Sequence, residues 1–263
     1  MPVISPGNGL DVSRRAKSRR RFLARSLGGR PYIVLEIGAL DNPTFMKSEG
    51  DVYFADFFSQ QESVKRHIKS TAHNAFKIVD VDYVLRDSSL REAVRIPPDL
   101  IIANHVIEHI PNPIGWLQEL REIVAPGGLL FLSVPDKRYT FDYFKPVSDA
   151  VDWIRAHDEA LEMPSYYQIL RHLYYHADIT EGKAWSGDIP DDHMHRLTMP
   201  QALEKAKQLS RSYTDVHCSV FTYHSFRTII QDLREADLIN WKVAHHEDVH
   251  QGENEFRIVL ESL

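Results

Sequence analysis

Short apolar runs alternate with amphipathic stretches over residues 31–135. Tyr32-Ile-Val-Leu-Glu-Ile37, Val52-Tyr-Phe-Ala-Asp56, Lys77-Ile-Val-Asp-Val-Asp82, Leu100-Ile-Ile-Ala-Asn104 and Leu129-Leu-Phe-Leu-Ser-Val134 read as five buried strands. Between them, Gln60–Lys69, Ser88–Val94 and Ile114–Val124 carry helical patterns. In the last of these Trp116, Leu117, Leu120 and Val124 form one apolar stripe. Strands that are apolar throughout and alternate with helices predict a parallel sheet covered on both faces.

Residues 136–215 break the rhythm. They are rich in aromatics, His and Asp, with helical stretches near 148–163, 165–176 and 200–212. Tyr166, Tyr167, Leu170, Leu173 and Tyr174 fit a helical core stripe. Ser225–Ala236 then reads as a helix, and Trp241–Glu247 and Glu255–Glu261 as strands around the turn Gln251-Gly-Glu-Asn254. The predicted architecture is five βα units, a helical insertion, a helix and a terminal hairpin. No Pro/Gly-rich linker divides the chain, so one domain with an insertion is expected.

Composition narrows the classes. The chain has 263 residues, 43% hydrophobic and 26% charged, which fits a globular protein and excludes wholesale disorder. Its one cysteine, Cys218, excludes an intramolecular disulfide framework and a multi-cysteine zinc site. No apolar run approaches the roughly 18 residues of a membrane span, and a cytoplasmic protein is expected.

The net charge of −6 is uneven: residues 1–30 carry +7, leaving −13 on the rest. Ser18-Arg-Arg-Arg-Phe-Leu23 has the look of a twin-arginine export signal, but the charged stretch after it is no apolar h-region. An anionic partner is a second reading. The favoured one is a solvated helix whose Phe22, Leu23 and Leu27 dock on the body and which ends at Gly28-Gly29.

In an open α/β sheet, ligands bind beyond the carboxyl ends of the strands. Strand one runs into Glu36-Ile-Gly38. Gly38 permits a tight turn and close backbone approach. Glu36 is an acid in an apolar strand and so calls for hydrogen-bond partners. Strand two ends at Asp56, 18 residues past Gly38, the spacing of an acid that accepts a ribose diol. Strand four ends in Asn104-His-Val-Ile-Glu-His-Ile-Pro111, and Ala125-Pro-Gly-Gly128 precedes strand five.

The series Leu35-Glu-Ile-Gly38, Asp56, Asp99-Leu-Ile-Ile-Ala-Asn-His-Val-Ile-Glu-His109, Pro126-Gly-Gly128 and Ser133-Val-Pro-Asp136 resembles class I S-adenosylmethionine-dependent methyltransferases, nearest the bacterial small-molecule and glycan type. The resemblance implies a Rossmann-like seven-stranded, mostly parallel sheet with helices on both faces and a helical insertion after strand five. On that scheme residues 1–30 are a basic helical arm over the cofactor side. Residues 31–263 are the methyltransferase domain, with 136–215 as a substrate lid. The implied cofactor is S-adenosylmethionine. Glu36 and Gly38 would lie against its methionine part, Asp56 on the ribose, and Val81 and Asp82 beside the adenine. Backbone groups of Asn104 and His105 would hold the amino acid moiety. The family places further glycines at alternate positions after Gly38. Here those positions are Leu40 and Asn42, so the usual glycine cradle is not expected, with Asn42 the better suited of the two to φ > 0.

Methyl transfer to oxygen needs a base, whereas an amine needs only its neutral form. His105, at the end of strand four, is the first candidate and His217 the second. Glu108 and His109 follow on the next turn or two, and the resemblance makes them a recurrent part of the fold. Asp191-Asp-His-Met-His195 offers a His-x-His pair with nearby acids, but no metal ligand is assigned. Lys137, Arg138, Tyr139 and Asp142 are read as an acceptor-side polar rim, against the alternative of a salt-bridged loop. The expected acceptor is a hydroxyl, rather than an amine, of a small molecule or carbohydrate. Alternatives are a non-catalytic cofactor-fold binding or regulatory protein, and a nucleic-acid or protein methyltransferase docked by the arm. The acidic body disfavours a nucleic acid. A dinucleotide oxidoreductase fails on the missing Gly-x-Gly-x-x-Gly.

Overall fold

A computed structural model describes residues 13–28, 32–71, 73–191 and 196–263. Residues 1–12 and 29–31 of the arm region lie outside the described residues. So do Asp192, His193, Met194 and His195 of the His-x-His stretch.

Seven strands form one sheet: β1 (Val34–Ile37), β2 (Val52–Asp56), β3 (Tyr83–Val84), β4 (Leu100–Asn104), β5 (Leu129–Pro135), β6 (Trp241–Glu247) and β7 (Glu255–Ser262). Their order is β3-β2-β1-β4-β5-β7-β6. Val34 pairs in parallel register with Val52 on one side and Leu100 on the other. Every residue of β1 and β5 is buried, as strands covered on both faces require. The mixed, mostly parallel sheet surrounded by helices is the expected fold.

The third strand is shifted. Residues 77–82 were expected to form it, yet pairing with β2 runs only through Ala55–Tyr83 and Asp56–Val84. The reason lies in the hydrogen bonds. Residues 75–77 form a 3₁₀ turn, Ile78 carbonyl accepts from Gln60, and Val79 N–H donates to Leu40 carbonyl. The apolar run is buried by loops, and Ile78 and Val79 are core residues without a ladder.

The helices are α1 (Arg14–Leu27), α2 (Gln60–His67), α3 (Leu90–Ala93), α4 (Pro113–Ile123), α5 (Ala150–Asp158), α6 (Tyr166–Tyr174), α7 (Glu181–Ser186), α8 (Met199–Leu209) and α9 (Tyr223–Glu235). Most start on a side-chain cap: Ser13, Ser59, Ser89, Asp149, Ser165, Thr180, Thr198 and Thr222 each accept a backbone N–H of the first turn. The Pro-Gly-Gly turn before β5 needs its second glycine. A Cβ on Gly128 would stand 2.4 Å from Val124 Cγ2 and 2.7 Å from Ala125 carbonyl oxygen.

The chain divides into two compact units. The first comprises Met1–Asn104, Glu119–Leu132 and Arg257–Leu263. The second comprises His105–Gln118 and Ser133–Phe256.

In the first unit α1 docks as expected through Phe22 and Leu23, with Phe22 against Phe131 at 5.8 Å between ring centroids, while Leu27 is only half-buried. The helix is less solvated than its charge suggested, because Arg19 and Arg20 are buried. Arg20 donates to both Glu49 carboxylate oxygens, at 2.8 and 2.6 Å, and to Thr44 carbonyl oxygen, and lies over the Phe45 ring. The arginine that looked like an export signal is a clamp on the loop after β1.

In the second unit, α6 and α8 pack around Ile169, Ala206 and Val216, with Tyr166, Leu170 and Leu173 against them. Tyr167 departs from the expected stripe: it is exposed, under the Arg155 guanidinium.

Candidate active site

In the first unit the carboxyl ends of β1, β2 and β4 bring together Glu36, Gly38, Asp56 and Asn104. Glu36 is wholly buried, and its partners are now explicit. Thr44 donates through N–H (2.7 Å to Oε2) and hydroxyl (3.0 Å to Oε1), and Asn104 Nδ2 donates to Oε1 at 2.8 Å. Burial outweighs these bonds and pushes its pKa up to about 7. Asn104 Nδ2 also donates to Thr44 Oγ1 at 2.9 Å. Thr44 was not visible as a site residue. The only signal in the sequence was the demand that a buried Glu36 find donors.

The turn after β1 has left-handed residues at Gly38 (φ 69°) and Leu40 (φ 45°), with Asn42 not among them. The sequence expectation is corrected in both respects. Leu40 takes the conformation expected of glycine, at a cost of about 1–2 kcal/mol. Asn42 N–H closes the turn on Ala39 carbonyl.

Asp56 ends β2. Burial raises its pKa, against backbone N–H bonds from Phe58 and Phe57, and no described side chain donates to it. A desolvated carboxylate with unused acceptor positions fits a ligand diol. Val81 and Asp82 precede β3 rather than ending a strand. Asp82 accepts from Phe54 N–H (2.8 Å) and Lys47 Nζ (2.6 Å), so its carboxylate is engaged in holding the β2 edge.

The second unit carries the two candidate bases. His105 is left-handed (φ 54°), and its N–H donates to Ser133 carbonyl oxygen at 2.9 Å. Its Nε2 is 2.8 Å from Glu255 Oε2, on a side chain only 1% exposed, and its Nδ1 is 3.6 Å from Glu108 Oε1. Glu255 was missed because it lies 150 residues away, in what read as an ordinary strand. His217 Nδ1 is 2.5 Å from Asp142 Oδ2, and Asp142 is ion-paired to buried Lys145. Together these partners hold the Asp142 carboxyl well below its ordinary range despite its burial.

Asp142 is therefore not a rim residue. Arg138 makes a bidentate pair with fully buried Asp136 (2.8 and 2.9 Å) and reaches Asp248, the contacts of a salt-bridged loop. Tyr139 stacks on Trp185 with centroids 4.3 Å apart. Lys137 is half-buried, and burial lowers its pKa.

Backbone N–H groups of Cys218 and Ser219 both donate to Glu108 carbonyl oxygen, which brings His217 beside His109, rings 4.7 Å apart. His109 Nδ1 is 2.7 Å from Asp215 Oδ1. Glu108 is 1% exposed, and neither carboxylate oxygen has a hydrogen-bond partner. Burial pushes the Cys218 thiol up to about 12, which makes it a poor nucleophile.

The model of a methyltransferase-domain family matches residues 7–238. The chain belongs to this methyltransferase family. It is accordingly an enzyme, and the methyl donor that membership implies is S-adenosylmethionine. Solved structures similar to this methyltransferase include an S-adenosylmethionine-dependent methyltransferase from Mesorhizobium loti (11% identity, 96% of this chain and 100% of that one, TM-score 0.44). A methyltransferase from Pyrococcus furiosus is 13% identical over 96% of this chain and 89% of that one, with TM-score 0.42. Magnesium protoporphyrin IX methyltransferase from Synechocystis, with bound SAH, is 11% identical over 98% and 90%, with TM-score 0.38. No curated protein matches. Among the described residues no helix of the methyltransferase is long and apolar enough to cross a membrane.

Proposed function

We propose that this methyltransferase transfers a methyl group from S-adenosylmethionine to a hydroxyl of a small molecule or a carbohydrate. The observation that carries the reading is that His105 and His217 each have one ring nitrogen on a buried carboxylate, Glu255 and Asp142. A carboxylate behind an imidazole fixes its tautomer and favours the imidazolium that forms on proton uptake. An alcohol acceptor needs such a base, and an amine does not.

The bound cofactor supplies an electrophilic methyl carbon. The residues of the chain do the rest. Asp56 would accept the two ribose hydroxyls, Gly38 would keep a Cβ away from the methionine part, and backbone groups at Asn104 and His105 would hold the amino acid moiety. Glu36 acts through Thr44 and Asn104, holding the turn and the end of β4 in shape. Val81 and Asp82 would flank the adenine through their backbone. His105, with its proton on Nε2 toward Glu255, accepts the acceptor proton at Nδ1. His217, with Nδ1–H on Asp142, is the second candidate, at Nε2. The insertion 136–215 provides the acceptor-side walls, and the cell compartment proposed is the cytoplasm.

Titration calorimetry with S-adenosylmethionine and with NAD(H) tests the donor. Binding of the former alone is expected, and Asp56→Ala should weaken it at least tenfold, as loss of a charged hydrogen-bond acceptor would. Unchanged affinity would remove Asp56 from the ribose. Nucleotide sugars and oligosaccharides incubated with the enzyme should gain the mass of one methyl group. At saturating cofactor, His105→Ala should lower kcat while leaving cofactor affinity in place. If neither His105→Ala nor His217→Ala lowers kcat, the base is elsewhere.

A further inference from the structure

Three side chains in the second unit, one of them the second base candidate His217, share a property beyond proton transfer. Glu108, His109 and His217 each offer one ligand atom, and these atoms lie within 4.8 Å of one another. The Glu108 carboxylate is 1% exposed, with both oxygens lacking a hydrogen-bond partner. A buried polar group left in that state costs about 1–3 kcal/mol, and more when it is ionised. His105 Nδ1 and His109 Nε2 approach Glu108 Oε1 only to 3.6 and 3.9 Å, too far for a hydrogen bond.

Both histidines of the cluster are oriented from behind. Asp215 Oδ1 is 2.7 Å from His109 Nδ1, and Asp142 Oδ2 is 2.5 Å from His217 Nδ1. With each Nδ1 proton given to a carboxylate, each Nε2 carries a lone pair. This carboxylate–imidazole arrangement is the one that holds metal-ligating histidines in place and raises their basicity. The local charge agrees. Three acids, Glu108, Asp142 and Asp215, gather here, with Lys145 ion-paired to Asp142.

We propose that Glu108, His109 and His217 form a binding site for a divalent transition cation, with Asp142 and Asp215 as the carboxylates that orient the two imidazoles. Two imidazoles and one carboxylate suit Zn²⁺ and its first-row neighbours better than Mg²⁺ or Ca²⁺, which take oxygen ligands. Metal–nitrogen and metal–oxygen distances near 2.0–2.2 Å require the three donors to close on the ion by small side-chain rotations. His109, 30% exposed, leaves a route for entry. Three protein donors leave coordination positions open, as in catalytic rather than structural zinc sites. Where the base assignment above holds, a cation occupies His217 Nε2 and leaves His105 as the proton acceptor.

The full-length chain, stripped with a chelator and dialysed, is titrated with Zn²⁺ by calorimetry and with Co²⁺ by visible absorption. One tight Zn²⁺ equivalent is expected, with Co²⁺ bands of four- or five-coordinate geometry in place of the pale hexaaqua spectrum. Glu108→Gln and His109→Ala should each weaken Zn²⁺ at least tenfold, and Asp215→Asn about 10–100-fold. The double variant His193→Ala/His195→Ala should bind as the parent does. Absence of tight Zn²⁺ binding overturns the site, as do unchanged affinities in Glu108→Gln and His109→Ala, or loss of binding in the His193/His195 variant. If Glu108→Gln fails to fold, His109→Ala and the Co²⁺ spectrum of the parent decide. None of these readouts depends on the methyl acceptor, so failure of the cation site leaves the methyltransferase reading standing, and the reverse.

Discussion

Glu36 shows how much one residue can carry. It is an acid in an otherwise apolar strand, and three donors, Thr44 N–H, Thr44 hydroxyl and Asn104 Nδ2, make that burial tolerable. The sequence exposed the anomaly, because Glu is almost never fully buried without partners. It could not name Thr44, eight residues on across an irregular turn. With a pKa raised from 4.5 to about 7, Glu36 keeps its proton in the fold after the unfolded chain has lost it. Its contribution to stability is therefore full below pH about 4.5 and falls as pH rises toward about 7. Thermal unfolding of the parent and of Glu36→Gln should show this as a difference. The parent loses on the order of 3 kcal/mol across that window relative to the variant, and parallel pH profiles would contradict it. His105 teaches the complementary lesson. Its place after β4 was legible, whereas Glu255, which fixes its tautomer, was not.

At the scale of elements, α1 is where charge and burial had to be weighed. Its run of arginines read as solvated, and its apolar residues as the docking face. Phe22 and Leu23 do dock, but Arg20 goes in with them, because Glu49 and Thr44 carbonyl oxygen together satisfy its guanidinium. A buried charge that loses its partner is costly, so Arg20→Ala should lower unfolding stability by roughly 3 kcal/mol. Exposed Arg21→Ala should change it by less than about 0.5 kcal/mol. Urea midpoints of the two variants check this, and equal midpoints would return α1 to the solvated reading. The third strand failed for a different reason. Hydropathy reports burial, and the 77–82 run is partly buried, but a ladder also needs a partner edge in register.

Over the whole chain, apart from His105, which is assigned to both roles, the residues assigned to the cofactor and the residues assigned to proton transfer fall in different compact units. Glu36, Gly38, Asp56, Val81, Asp82 and Asn104 belong to the first, and His105, His217 and their carboxylates to the second. Hydrogen exchange can read the two separately. S-adenosylmethionine at 100 times its Kd should add about 2.7 kcal/mol to global stability and slow exchange first around residues 36–44 and 54–58. Zn²⁺ should slow residues 105–109 and 215–219. Protection of the second set by the cofactor alone, with none in the first, would reverse the assignment.

The sequence by itself determined six of the seven strands, most helices, the turn glycines and the family. These rest on local periodicity and on short motifs, where each residue's neighbours in the chain are also its neighbours in space. Only the tertiary structure decided the partners of the charged groups. Glu255 on His105, Asp142 on His217, Asp215 on His109, Glu49 on Arg20 and the pairing of Arg138 with Asp136 are matters of distance and geometry. The same is true of Leu40 in a left-handed turn and of Glu108 buried without a donor. A charge in sequence states only that a partner or solvent is needed. Which one is supplied depends on packing, because the cost of desolvation is set by everything else that arrives at the same place.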